Sequence, residues 1–132
     1  MTTARIAAAL ISLRLAGRTA DAIQQYYAPD VVCLDVSTPT TAVYGKAVAL
    51  LEHERWSALR EIHEIASVGP WLTGERVVVQ LIFGVTRRDT LLRVMERETI
   101  IYRVRDGFVH QVQFFVKCDE PVVALPTAVG FS

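Results

Sequence analysis

Residues 91–117, LLRVMERETIIYRVRDGFVHQVQFFVK, constrain the fold more than any other stretch of the chain. Two apolar-rich runs flank Arg105-Asp106-Gly107, and Asp-Gly between β-prone segments marks a tight hairpin turn. Each run is about ten residues or more, against the usual five or six of a strand. Long strands joined by a tight turn predict a strongly curved antiparallel sheet, which must close over something. What lies inside that curve is the functional question.

The remaining segments supply the cover. Ile6, Leu10 and Leu13 recur at helical spacing over residues 4–16, with Ile11 and Leu15 widening the stripe and Gly17 as a stop. A second helix over about residues 20–28 takes Thr19 as its N-cap, carries Ile23, Tyr26 and Tyr27, and ends at Pro29. Residues 31–36, rich in β-branched side chains, predict a short strand, and residues 37–43 read as a loop. A third helix opens at Tyr44-Gly45-Lys46 and runs to about Arg60, with Val48, Leu51 and Leu59 as buried candidates. From Glu61 onward the pattern is β: Glu61–Val68, interrupted near Gly69-Pro70, then Arg76–Val85, then the long hairpin. The expected class is α+β, a layer of helices over one curved sheet.

Composition narrows the function. At 132 residues and 52% hydrophobic content, the chain reads as one domain with a sizeable core. Fourteen basic and fourteen acidic residues cancel without forming blocks, so the electrostatic footprint of a nucleic-acid binder is missing. Uninterrupted apolar runs fall short of the roughly 18 residues a membrane span needs. Arg14 breaks the apolar run at residues 6–16, so the start reads as a mature cytosolic N-terminus rather than a leader, and a cytoplasmic location is expected. Cys33 and Cys118 lack paired-ligand spacing, and the three histidines match no metal triad, so neither a metal nor a cofactor is expected. A reduced pair of thiols is the simpler expectation, with a disulfide left open. The apolar segment 119–132, with Pro121, Pro126 and Gly130, is expected to pack on the body or across a dimer.

Three stretches carry a resemblance. They are Ala22-Ile23-Gln24-Gln25-Tyr26-Tyr27-Ala28-Pro29-Asp30-Val31-Val32, then Tyr44-Gly45-Lys46-Ala47-Val48, then Tyr102-Arg103-Val104-Arg105-Asp106-Gly107-Phe108-Val109 running on to Phe114-Phe115. In order and spacing they resemble the nuclear transport factor 2-like superfamily, in its SnoaL-like polyketide cyclase and ketosteroid isomerase-like branch, up to about Cys118. The resemblance implies a cone: three N-terminal helices on a strongly curved, mainly antiparallel sheet with a mostly apolar pocket at its open end. It also implies a homodimer through the outer sheet face. Fold alone does not give an activity.

Candidate chemistry follows from both sources. Asp35 ends the first strand, at the position where the resemblance places the isomerases' general-base aspartate. Its alternative is an ordinary strand-end carboxylate bonded to its own loop. The isomerases' oxyanion donors would fall near Leu10 or Ile11 and near Thr99 or Ile100, where no donor side chain of that kind stands. The epoxide hydrolase set would fall near Ile82, Gly84 and Gln113, which cannot take its charged roles. His63, on one face with Glu61 and Ile65 by alternation, is either a general acid/base near Asp35 or a solvent-side histidine. Glu98, on one face with Glu96, Ile100 and Tyr102 by alternation, is either a buried pocket acid or one of a charged outer row, since Glu96, Arg97 and Glu98 cannot all point inward. Gln113 and Gln80 are expected to orient a substrate, and Tyr44, Trp56 and Phe83 to line its pocket. The expected function is a cofactor-independent isomerase, cyclase or dehydratase acting on a hydrophobic polyketide, terpenoid or sterol-like molecule. The alternative is a ligand-binding or dimerisation module without turnover.

Overall fold

The computed structural model describes residues 2–37 and 39–118; the expectation for segment 119–132 lies outside them. The order is α1 (Thr3–Leu15), α2 (Thr19–Tyr26), β1 (Tyr27–Asp35), β2 (Thr41–Tyr44), α3 (Lys46–Ala58), β3 (Arg60–Thr73), β4 (Arg76–Arg87), β5 (Arg93–Arg105) and β6 (Phe108–Cys118). Three helices lie on a six-stranded sheet of order β2-β1-β6-β5-β4-β3. All pairs are antiparallel except β1 with β6. The third helix follows β1 and β2, so the helices do not all precede the sheet.

The Asp106-Gly107 turn forms as its sequence demands. Asp106 and Gly107 both take positive φ, 53° and 82°, the two-residue conformation that matches the twist of the flanking strands. Hairpin β5–β6 then runs in register from Arg105↔Phe108 to Glu96↔Cys118, with one shift at Arg103/Val104.

Helix α1 begins where the Thr2 hydroxyl accepts from the Arg5 amide at 3.2 Å, satisfying one otherwise unpartnered donor. Ile6, Ala7, Leu10 and Ile11 form its buried stripe. That stripe packs on Val77, Val79 and Leu81 of β4 and Ile100 and Tyr102 of β5, all fully buried. Arg18, rather than Thr19, stands at the N-cap of α2.

Three further expectations change. Residues 41–44 form β2, an edge strand whose Thr-rich neighbourhood reads as loop and whose order depends on pairing with β1. Strand β3 continues through Gly69-Pro70, because it is the sheet edge and a register shift between Val68 and Trp71 absorbs the proline. Val48 and Leu51 in α3, and Leu59 just past its end, are exposed, at 39%, 45% and 53%. The helix instead turns Ala49, His53 and Trp56 inward, at i, i+4 and i+7, over a cavity rather than over a filled core.

Candidate functional site

Beneath α3, between the helices and the sheet, lies a cavity of about 590 Å³. Strand alternation decides which side chains reach it. On β1 these are Tyr27, Cys33 and Asp35; on β6, Val112, Phe114 and Val116; on β5, Glu98. Helices contribute Arg14 and Ile23 as well as the inward stripe of α3, which Arg60 extends at i+11 from Ala49. Most of this wall is apolar, with charged groups set into it.

Two ion-paired clusters occupy the charged positions. Arg14 donates to Glu98 Oε1 at 2.9 Å and to the Tyr102 hydroxyl at 3.0 Å. Burial acts to lower the Arg14 pKa, but Tyr102, Glu98 and Tyr27 outweigh it, and the guanidinium is held charged above its ordinary value. In the second cluster Glu96, fully buried, takes Arg60 Nε at 2.9 and 3.2 Å and Arg87 Nη2 at 2.9 Å. Arg60 also donates to the Trp56 carbonyl at 3.0 Å, and its guanidinium carbon lies 4.5 Å over the Trp56 ring.

Asp35 differs from both glutamates. It sits at the end of β1, beside Phe114 in the parallel register, and one carboxylate oxygen accepts from the Ser37 amide at 3.0 Å. This is the loop bond of an ordinary strand-end aspartate, and the same residue lines the cavity.

Three groups on the wall, His53, Tyr27 and Cys33, are held neutral. Burial lowers the His53 pKa, Arg14 lowers it further, and Glu54 opposes them. His53 stacks on Trp56 at 6.3 Å and contacts Ser57 Oγ at 3.3 Å. Burial raises the Tyr27 pKa well above the usual phenol range, with Tyr102 adding to it. The Cys33 thiol is pushed up to about 11 by burial. Cys33 and Cys118 are both free thiols. Among the described residues, no group of three or more His, Cys, Asp or Glu side chains is placed to hold a metal.

The sequence-predicted residues divide between the sheet's two faces. Asp35, Glu98 and Trp56 meet at the cavity. Phe83 is buried behind Trp56, edge-on at 5.2 Å. His63 is not near Asp35. A register shift between Ile62 and Glu64 breaks the alternation that would have aligned His63 with Ile65. Its Nε2 instead lies 2.7 Å from Thr86 Oγ1, on the outer face. Gln113 also faces outward, because its neighbours Val112 and Phe114 face in. Gln80 is on that outer face too, reaching Thr99 at 3.4 Å. Tyr44 is 68% exposed and stays off the wall that Thr41 and Val43 join.

Residues missing from the sequence reading carry much of the site. Arg14 had a signal, since it continues Ile6 and Leu10 at i+4 and i+8 on the buried face of α1. His53 shares the stripe of Ala49 and Trp56. Arg60 and Arg87 had none, since only the β3–β4 register brings them opposite each other.

Comparison with known proteins places this arrangement. Among curated proteins none matches the chain. A Mesorhizobium loti protein described as a SnoaL-like polyketide cyclase superposes with a TM-score of 0.79 at 28% identity, covering 86% of this chain and 98% of its own. A Bacillus subtilis protein described as an isomerase superposes at 0.74 with 10% identity, covering 89% and 90%. A Kribbella flavida protein described as a ketosteroid isomerase does so at 0.68 with 19% identity, covering 92% and 83%. The last two, at such low identity, share the fold alone. The SnoaL-like domain family matches residues 1–116, nearly all that the three helices and six strands occupy, and the chain belongs to that family.

Proposed function

We propose that the cavity binds a hydrophobic small molecule and that Asp35 removes a proton from it, in a cofactor-independent isomerisation, cyclisation or dehydration. One observation carries this reading. Of the carboxylates beside the inner cavity, Glu52, Glu96 and Glu98 are held by guanidinium groups, whereas Asp35 is held by one backbone amide. A carboxylate with a free oxygen on an apolar wall can accept a proton; one clamped by arginine is a poor base.

Removing a proton next to a carbonyl leaves negative charge on oxygen, which needs a donor already in place. Tyr27 lines the same cavity and, held protonated by burial, keeps a phenolic donor at neutral pH. Arg14 adds a positive charge on the same wall. Neither stands at the two positions where the superfamily resemblance looked for donors. His53, neutral near pH 7, takes the place proposed for His63 as a second proton carrier.

The test is Asp35→Asn, assayed by loss of substrate α-protons to heavy water. Turnover should fall by about 10²–10⁴-fold with ligand affinity retained; unchanged turnover would overturn the assignment. The second reading, binding without turnover, is favoured by the ion pairs that engage Arg14, Glu98, Arg60 and Arg87. It predicts a wild-type protein that binds and never exchanges protons.

A homodimer through the outer sheet face belongs to the same proposal. Val68, Trp71 and Phe115 stand exposed on strands β3 and β6, and Val68 and Phe115 are opposed in register to outward Gln80 and Thr99. Phe115→Glu should shift sedimentation from two copies to one.

A further inference from the structure

We propose that the Arg60–Glu96–Arg87 cluster is the docking subsite for a carboxylate on the ligand, so that the molecule this cavity takes is an elongated amphiphilic acid. The inference rests on the reading of the cavity as a small-molecule site and adds the class of molecule. Two guanidinium groups share the single carboxylate of Glu96, whose oxygens lie 2.9 Å from Arg60 Nε and 2.9 Å from Arg87 Nη2. One bidentate arginine already neutralises a buried carboxylate. The second leaves an excess of one positive charge where both arginines line the cavity.

The cluster also has an unused donor. Arg87 Nε is buried and has no hydrogen-bond partner among the described residues. Burial acts to lower the Arg87 pKa, yet Glu96 and Cys118 hold it raised, so the charge persists. The Arg87 side chain is 36% exposed, but its Nε–H is itself shut off from solvent, and a buried donor left unbonded is costly unless an acceptor completes it. The planar fork of arginine suits carboxylate and phosphate alike. An excess of one unit charge matches a monoanionic carboxylate and would be over-matched by a phosphate dianion.

The rest of the ligand follows from the wall. Trp56, beneath the Arg60 guanidinium, begins an apolar surface that Val116, Phe114 and Val112 continue toward β1. Asp35 lies on β1 and the cluster spans β5 to β3, so two to four strand spacings separate them, about 10–19 Å along the sheet. The anionic head and the carbon that loses its proton are therefore several bonds apart.

Trp56 makes the test direct. The chain has two tryptophans, and Trp71 is 55% exposed, so Trp71→Phe leaves Trp56 as the sole reporter on the cavity. In that background decanoate, methyl decanoate and decyltrimethylammonium are titrated below their micelle concentrations, by Trp56 emission and calorimetry. Decanoate should bind about tenfold or more tighter than its ester, the size of a charged hydrogen bond, and the ammonium most weakly. Arg87→Met should erase that preference, Arg87→Lys should restore part of it, and the distant Arg105→Met should leave it intact. Glu96→Gln should instead strengthen decanoate binding, because it frees both arginines, an outcome that a purely structural clamp does not produce.

Acid and ester binding equally would overturn the carboxylate subsite while leaving the apolar cavity standing. A preference that survives Arg87→Met, in protein shown to be folded by its melting curve, would overturn it too. Binding of none of the three would overturn both this inference and the small-molecule reading. Inorganic phosphate displacing decanoate at lower concentration than acetate does would overturn the choice of carboxylate.

Discussion

Along β5, Glu96 and Glu98 point toward the helices, while Arg97 and Thr99, each one residue further on, face the other side of the sheet. The alternation is the same on both faces, but the solvent is not. On the helix side a carboxylate meets apolar walls, and each glutamate is stable there only because a guanidinium meets it: Arg14 from α1, Arg60 and Arg87 from β3 and β4. On the outer side Gln80 and Thr99 make a long contact at 3.4 Å, and His63 and Thr86 a short one at 2.7 Å. Outer polar groups can exchange a lost partner for water; inner ones cannot. The difference teaches that electrostatic consequences of mutation should be concentrated on one face.

Glu96→Ala should show the largest effect. It leaves Arg60 and Arg87 beside a cavity without their shared counter-ion, and breaking a buried pair from one side costs about 3–5 kcal/mol. The urea midpoint should fall accordingly. Arg14→Met comes next. It removes the donor to Glu98 and to the buried Tyr102 hydroxyl, and a cost of about 2–3 kcal/mol is expected for hydrogen bonds of a charged group. Equal midpoints for wild type and Glu96→Ala would break the contrast between the faces.

The inner side of the sheet should also impose a pH dependence, through His53. His53 has its pKa lowered from 6.5 by burial and by Arg14, against Glu54; Asp35 and Glu52 share its cavity wall. At pH values between the folded-state pKa and 6.5, the unfolded chain binds a proton that the folded protein excludes. Stability therefore rises with pH across that interval and is lost as pH falls through it. Comparing melting temperatures from about pH 5 to about pH 7 should show a steeper rise for wild type than for His53→Gln. Parallel curves would remove His53 from the buried set.

Much of this was legible in the sequence. Asp106-Gly107 and the long runs beside it predicted the hairpin, and the Ile6–Leu10 stripe predicted α1, because turn chemistry and helical period act locally. The place of Asp35 at the end of β1 was legible because a strand end is a local event. The losses were of two kinds. His63 and Ile65 are two residues apart, yet the register shift after Ile62 puts the histidine on the outer face, and no local signal marks that bulge. Gln113 was assigned inward because alternation gives two faces and no sign; only pairing with β1 chooses between them. Arg60 and Arg87 lie far apart in sequence, so the charge excess they create exists only once β3 and β4 are in register.

The smallest expected effect sharpens the comparison most. Gln80 and Gln113 lie on the outer face, and neither lines the cavity. Gln80→Ala and Gln113→Ala should each change stability by no more than about 0.5 kcal/mol, and neither should alter decanoate binding or the Trp56 signal. The two substitutions are not equivalent, however. Gln80 is bonded to Thr99, while Gln113 stands opposite Leu34 and Ile101, on the face proposed to meet a second copy. If Gln113→Ala lowers the melting temperature more at high than at low protein concentration, its partner is a second copy rather than a ligand. A concentration-independent loss of ligand affinity would instead place Gln113 in the binding site and reverse the assignment of faces on β6. Because β6 carries Val112 and Phe114 on the opposite face, that result would also remove the apolar wall between Asp35 and the arginine cluster.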